Sequence, residues 1–259
     1  MGSAVRAAVD TALHDWLGKR AGLPLWQLLG LELPPRPTSV TIGIGTPEQA
    51  QKRLQDWLQQ IEVKAVKVKL GSPQGIAVDQ AMFDAVLKVL PSSVDLSVDA
   101  NGGWNLPDAV DMAMWLADRG VTYLEQPLSV EADELLSKLH QQAPLPIFVD
   151  ESCFTSRDIP RLAADIDGIN IKLMKCGGLK EAMRMIYTAQ THGLKIMFGC
   201  YSNTALGNTA MAHLSPLAHH LDLDSHLNLK NDPFAGAAIV NGALVPNHLP
   251  GLGLAYHAA

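Results

Sequence analysis

Short apolar runs alternate with longer amphipathic ones along most of the chain. "SVTIGI" reads as a strand, and "TPEQAQKRLQDWLQQI" as a helix opened by Thr46 as cap and Pro47 in the first turn. "AVKVKL" then precedes "IAVDQAMFDAVLKVL", "DLSVDA" precedes "LPDAVDMAMWLADRG", and "VTYLEQP" precedes "EADELLSKLHQQ". The series continues through "PIFVDES" and "SRDIPRLAAD", "GINIKLM" and "KEAMRMIYTAQTHG", "KIMFGC" and "ALGNTAMAHLS", and closes on "HHLDLDS". Short strands separated by helices pair in parallel through right-handed crossovers. Eight such units predict an α/β fold, a (β/α)8 TIM-type barrel over residues 38–231. An open doubly wound sheet is the competing architecture. It often carries a glycine-rich nucleotide loop, and this chain has no G-x-G-x-x-G and no Walker A stretch.

The two ends stand outside the alternation. Residues 1–37 hold one helix, "GLPLWQLLG" and the proline-rich bridge "LPPRP"; residues 232–259 lack helical period. Both are expected to pack against other structure, the tail back toward the N-terminal piece.

Composition narrows the function classes. The 259 residues are 47% hydrophobic and 18% charged, ordinary for a soluble chain with a large core. A net charge of −6 argues against nucleic acid or an anionic membrane as partner. No apolar stretch is long enough to span a bilayer. The N-terminus carries charge too early for a secretory signal. Cys153, Cys176 and Cys200 are odd in number and far apart, which suggests no disulfide framework and a cytoplasmic setting.

"VKAVKVKLG" is the unusual strand. Lys67 and Lys69 lie two apart, so they share a face. Two ammonium groups on a strand buried on both faces need a reason. In a (β/α)8 barrel the chemistry sits at the C-terminal strand ends. There the third strand offers Asp99 and Asn101, the fourth Glu125, the fifth Asp150 and Glu151, the sixth Lys172, and the eighth Asp222 and Asp224. One acid at a strand end reads as a helix cap. Three on successive strands would converge, and they repel unless a cation lies between them. An all-oxygen set favours Mg²⁺ before Ca²⁺ or Mn²⁺, and the nine histidines show no zinc-site spacing. Lys69 and Lys172 would then flank a metal-bound substrate, their pKa values lowered by the cation, as bases. The competing reading pairs these lysines with the acids as structural salt bridges.

Together, Lys67-Val-Lys69, Asp99-Ala-Asn101, Glu125-Gln-Pro127, Asp150-Glu-Ser152 and the stretch Asn170 to Gly178 resemble the enolase superfamily in its muconate-lactonizing-enzyme subgroup. Residues 4–30 resemble the last helix of that family's N-terminal capping domain, and most of the capping domain is expected to be absent. "NIKLMKCGG" and the pair Asp222 and Asp224 are most similar to the dipeptide epimerases, of L-Ala-D/L-Glu type. The resemblance implies 1,1-proton transfer at the carbon next to a carboxylate. It implies Mg²⁺ on Asp99, Glu125 and Asp150, and Lys69 and Lys172 as the two bases. It places Lys67 beside the substrate carboxylate and Asp222 and Asp224 on the dipeptide amino group. Further substrate contacts are implied at Thr41, Cys200 and Ser202. Asn203 stands where the family often has glutamate.

The competing functions are o-succinylbenzoate synthase, N-succinylamino acid racemase or cycloisomerase chemistry on the same site, and a non-catalytic metal-binding barrel. The expected partners are a small carboxylate substrate and copies of the same chain. A homo-oligomer is expected because the first helix and the tail should expose apolar surface around Leu23, Leu25, Trp26 and Leu28.

Overall fold

The structure, a computed structural model, describes residues 2–257. Its sheet has eight strands in the order of the sequence, all parallel: β1 (Ser39–Ile42), β2 (Ala65–Lys69), β3 (Asp95–Asp99), β4 (Leu124–Glu125), β5 (Ile147–Val149), β6 (Gly168–Ile171), β7 (Lys195–Phe198) and β8 (His220–Leu221). The helices are α1 (Ser3–Ala21), α2 (Leu25–Leu28), α3 (Pro47–Gln60), α4 (Ile76–Leu87), α5 (Leu106–Ala117), α6 (Leu136–Gln142), α7 (Ile159–Leu162), α8 (Leu173–Cys176), α9 (Leu179–Thr191) and α10 (Ala205–Ala212). This is the (β/α)8 barrel that the alternation predicts, nearly closed.

The helix starts follow side-chain chemistry. Thr46 accepts from the Gln49 N–H, and the Gln49 side chain accepts from the Thr46 N–H, so two orphan donors at the start of α3 are satisfied reciprocally. Asn105 caps α5 through the Asp108 N–H. α3 turns Ala50, Leu54 and Trp57 into the core at helical spacing.

Three local expectations fall short of or miss the observed elements. "SRDIPRLAAD" yields only one helical turn, α7. "EADELLSKLHQQ" splits into a 3-10 helix (Val130–Leu135) and α6. The turn α8, straight after Lys172, falls inside what the pattern reads as strand and loop.

Between β8 and β1 side chains stand in for ladder bonds. Ser39 Oγ donates to Asp222 Oδ1 at 2.7 Å, and the Thr41 N–H to Asp224 Oδ2 at 2.7 Å. The Leu223 N–H donates to Thr38 Oγ1 at 2.8 Å.

The two ends of the chain clasp each other. Gly18 lies so close to Gly251 that a Cβ there would sit 2.6 Å from the Gly251 Cα. The Leu25 N–H donates to the Gly251 carbonyl, and the Gly251 N–H to the Leu23 carbonyl. Buried His213 accepts from the Trp26 N–H and lies 3.2 Å from the Leu252 carbonyl. This clasp corrects one expectation. Leu25 is fully buried and Leu23 and Trp26 are half-buried, so only Leu28 of that set is exposed. The first helix and the tail do expose apolar surface as expected, but at Val5, Val9, Leu13, Trp16 and Leu17 of α1 and at Val240, Leu249 and Tyr256 of the tail.

Candidate active site

Parallel register brings the sequence-selected residues to one end of the barrel. Lys69 pairs with Asp99 across β2 and β3, and Asp99 with Glu125 across β3 and β4. Asp150 follows β5, Lys172 follows β6, and Asp222 and Asp224 follow β8. Asp99, Glu125, Asp150, Asp222, Asp224, Lys67 and Lys172 are all buried.

Lysines lie between the acids. Lys67, 1% exposed, pairs with Glu125 at 3.2 Å, with Asp99 at 3.7 Å and with Asp222. Lys69 reaches Asp99 Oδ2 at 3.0 Å and Asn101 Oδ1 at 3.2 Å. Lys172 reaches Asp150 Oδ2 at 2.5 Å. Among the described residues, no three carboxylate, imidazole or thiolate groups are gathered tightly as metal ligands are.

The donors nonetheless fit a hard divalent cation. They are three carboxylates on adjacent strand ends, an all-oxygen set. At this end of the barrel five buried carboxylates and Glu151 face Lys67, Lys69, Lys172 and Lys175. With buried Asp79, just past the end of β2, the carboxylates outnumber the lysines by three. Glu125 reports the deficit: burial, and then Asp99, push its carboxyl up to about 7 against the pull of Lys67. Among the described residues, Glu151 also carries a buried oxygen with no hydrogen-bond partner.

Opposite forces act on the two far carboxylates. Burial disfavours the Asp150 anion, but Lys175 and Lys172 outweigh it and hold the carboxyl at about 2. For Asp224 burial and then Asp222 outweigh the Thr41 N–H and Lys67 and push the carboxyl up to about 6. Burial also opposes charge on Lys172. Asp150 and Glu125 overcome it and hold the ammonium above the ordinary lysine range. With no cation in the balance this is the reverse of the lowering expected from sequence.

Backbone strain marks the same strand ends. Asn101 and Gln126, neither of them glycine, adopt left-handed φ of 47° and 37° beside the candidate ligands. The Gln126 side chain accepts from the Asp150 and Ser152 N–H groups and donates to Ser152 Oγ and the Leu128 carbonyl. It ties the end of β4 to the turn that carries Asp150.

The remaining expected contacts are scattered. Thr41 Oγ1 donates to Asp222 Oδ1 at 3.0 Å, inside the cluster. Cys200 is half-buried; burial, and then Asp222, push its thiol up to about 11. Ser202 is exposed and lines an apolar cleft of about 270 Å³ against Ala4, Ala7 and Thr11 of α1, outside the charged cluster.

Sequence reasoning assigned no role to Lys175, Tyr201 or Asp79. Lys175 is buried and gives its protons to Asp150 Oδ1 and to the Asp150 and Asn170 carbonyls. Its place in "NIKLMKCGG" was the available signal. The Tyr201 ring lies 5.0 Å from the Lys172 ammonium, and no local pattern points to it. Asp79 falls on the apolar face of α4 with Met82, Phe83 and Val86, and that misplaced polarity was legible.

A parallel barrel with acids on consecutive strand ends and lysines on opposite walls defines a class, the enolase-like barrels. The chain belongs to that superfamily: residues 49–259 match the family described as enolase C-terminal domain-like. Residues 2–30 match the mandelate racemase / muconate lactonizing enzyme N-terminal domain. A hydrophobic dipeptide epimerase from Flavobacteria bacterium (strain MS024-2A) is 51% identical over 95% of this chain and 71% of its own length. The L-Ala-D/L-Glu epimerase of Bacillus subtilis (strain 168) is 35% identical over 96% of this chain and 70% of its own length. The substrate-liganded structure of the Bacillus subtilis L-Ala-D/L-Glu epimerase superposes with a TM-score of 0.92 at 33% identity, over 98% of this chain and 72% of that one. The Enterococcus faecalis V583 dipeptide epimerase, complexed with Mg and the dipeptide L-Leu-L-Tyr, gives 0.91 at 33%, over 99% and 74%.

Proposed function

We propose that the protein is an Mg²⁺-dependent epimerase that moves a proton at the carbon α to the carboxylate of a dipeptide. The observation that carries the reading is the placement of Lys69 and Lys172. They stand on β2 and just past β6, four strands apart in a ring of eight, with the acids of β3, β4 and β5 between them. A substrate lying over those acids presents one face of its α-carbon to each lysine.

Asp99, Glu125 and Asp150 would hold the ion, which when bound supplies Lewis-acid stabilisation of charge developing on the substrate carboxylate. The protein's own groups do the rest. One lysine takes the α-proton, and the other returns a proton to the opposite face, the roles reversing with substrate configuration. Lys67, a fixed buried charge, favours the electron-rich intermediate. Asp224, bonded to the Thr41 N–H but forming no ion pair with a lysine among the described residues, is the carboxylate best placed to receive the dipeptide ammonium, since Asp222 is engaged by Lys67, Ser39 Oγ and Thr41 Oγ1.

A dipeptide library incubated with the protein and Mg²⁺ in D₂O tests this directly. At least one dipeptide should gain one mass unit and appear as its epimer. A protein that binds Mg²⁺ yet labels no dipeptide contradicts the reading.

A further inference from the structure

Asp79 is 1% exposed, yet among the described residues none of its hydrogen-bond partners is a cation. Its carboxylate accepts from the Gly71 N–H at 2.9 Å, the Ser72 N–H at 3.0 Å and Trp104 Nε1 at 3.0 Å. A buried carboxylate is costly, so three donors aimed at one is an arrangement with a purpose. The donors belong to two different loops. Gly71 and Ser72 begin the β2–α4 connection, and Trp104 lies in the β3–α5 connection.

Those loops touch through their backbones. Gly71 has φ of 89°, and a Cβ there would meet the Ala100 carbonyl oxygen at 2.1 Å. A Cβ on Gly103 would lie 2.6 Å from the Gly71 Cα. Both loops lead to Lys69. Gly71 is two residues beyond it in sequence. Trp104 is three residues beyond Asn101, whose Oδ1 accepts from the Lys69 ammonium. The supports of Lys172 are Asp150, Lys175 and Tyr201, and none of them bonds to Asp79.

We propose that Asp79 is the positioning residue of Lys69: it locks the β2–α4 and β3–α5 loops together and thereby governs proton transfer on one face of the substrate only. The inference rests on the two-lysine reading above. Only a carboxylate meets three donors here. Asparagine offers one oxygen, and its NH₂ would face an N–H.

The test compares the full chain with Asp79→Asn by two readouts. The first is amide hydrogen exchange. The remaining oxygen can keep Gly71 and Trp104, so the Ser72 amide, which loses its acceptor, should exchange about tenfold faster, with the amides of Asp150 and Ser152 unchanged. The second is α-proton exchange in D₂O with Mg²⁺, followed separately for each antipode of a dipeptide that the unaltered protein turns over. Exchange on the Lys69 face should fall about 10- to 100-fold while the Lys172 face stays within about twofold, because misplacement of one base leaves the other untouched.

Equal losses on both faces, or an unchanged Lys69 face, overturn the proposal. Trp104→Phe guards against a variant that does not fold. It removes one tie and keeps the carboxylate, and the same asymmetry is expected at about threefold; its absence counts equally against the clamp. If the unaltered protein exchanges neither antipode, the two-lysine reading fails by itself, and amide exchange decides the clamp. Acceleration confined to residues 70–72 and 100–104 upholds it, and uniform or absent acceleration overturns it.

Discussion

Lys69 and Lys172 face each other across the barrel and are held by different means. The Lys69 side chain is 33% exposed and leans on Asp99 and Asn101. Its place is set by two interlocked loops. Lys172 is buried against Asp150, with a second buried ammonium, Lys175, on the same carboxylate. Its place is set by charge in a medium of low polarity, where each partner counts for more. One side of the site is therefore mechanically fixed and the other electrostatically fixed, and they should fail differently.

The largest difference should come from removing the acid of each side. Asp150→Asn leaves two buried ammonium groups without their carboxylate and should cost about 3–5 kcal/mol of stability. Asp99→Asn should cost about 1 kcal/mol, since Lys69 can turn to water and Lys67 keeps Glu125 and Asp222. Denaturant unfolding of both variants checks this. Equal losses would break the comparison.

A pH titration of stability separates both sides from the rest of the fold. Burial holds His213 at about 4, below its ordinary 6.5, with only the Leu252 carbonyl and Asp15 pulling the other way. The unfolded chain binds the proton first, so the stability His213 contributes is complete above pH 6.5. It declines as the pH falls from 6.5 toward 4. His213's share of the loss should be about 3 kcal/mol, missing in His213→Gln and kept in Lys69→Ala; His220, which burial also holds at about 4, loses a share of its own over the same window in both variants.

Lys175→Met comes next. It should cost about 2 kcal/mol, because Asp150 and two carbonyls lose a donor. It should slow exchange on the Lys172 face and spare the Lys69 face, the mirror of Asp79→Asn. Tyr201→Leu should have the smallest effect. The loss of a partly exposed cation–π contact is worth about 0.5–1 kcal/mol, read as a two- to fivefold change in exchange on the Lys172 face only.

Much of this was legible in the sequence because it is periodic. Lys67 and Lys69 at spacing two, and acids ending successive apolar runs, place themselves once the strands are counted. What the chain hides are bonds between distant residues. Ser39 and Asp222 are 183 positions apart, and no local pattern foretells that they bridge β1 and β8. Gln126 looks like an ordinary polar residue after a strand, yet three of its four side-chain hydrogen bonds reach Asp150 and Ser152, which only the pairing of β4 with β5 brings near. The apolar surface near Leu25 was misjudged for the same reason. The residues that cover it, Gly251 and Leu252, come from the other end of the chain.

Which face each lysine serves decides the assignment. Lys69→Ala and Lys172→Ala, each shown to bind Mg²⁺, are incubated in D₂O with each antipode of a turned-over dipeptide, and α-deuterium is counted. Both variants should lose epimerisation, since every turnover needs two bases. Each should still label one antipode, and the antipode should be opposite for the two variants. Labelling of both antipodes by both variants would contradict the assignment.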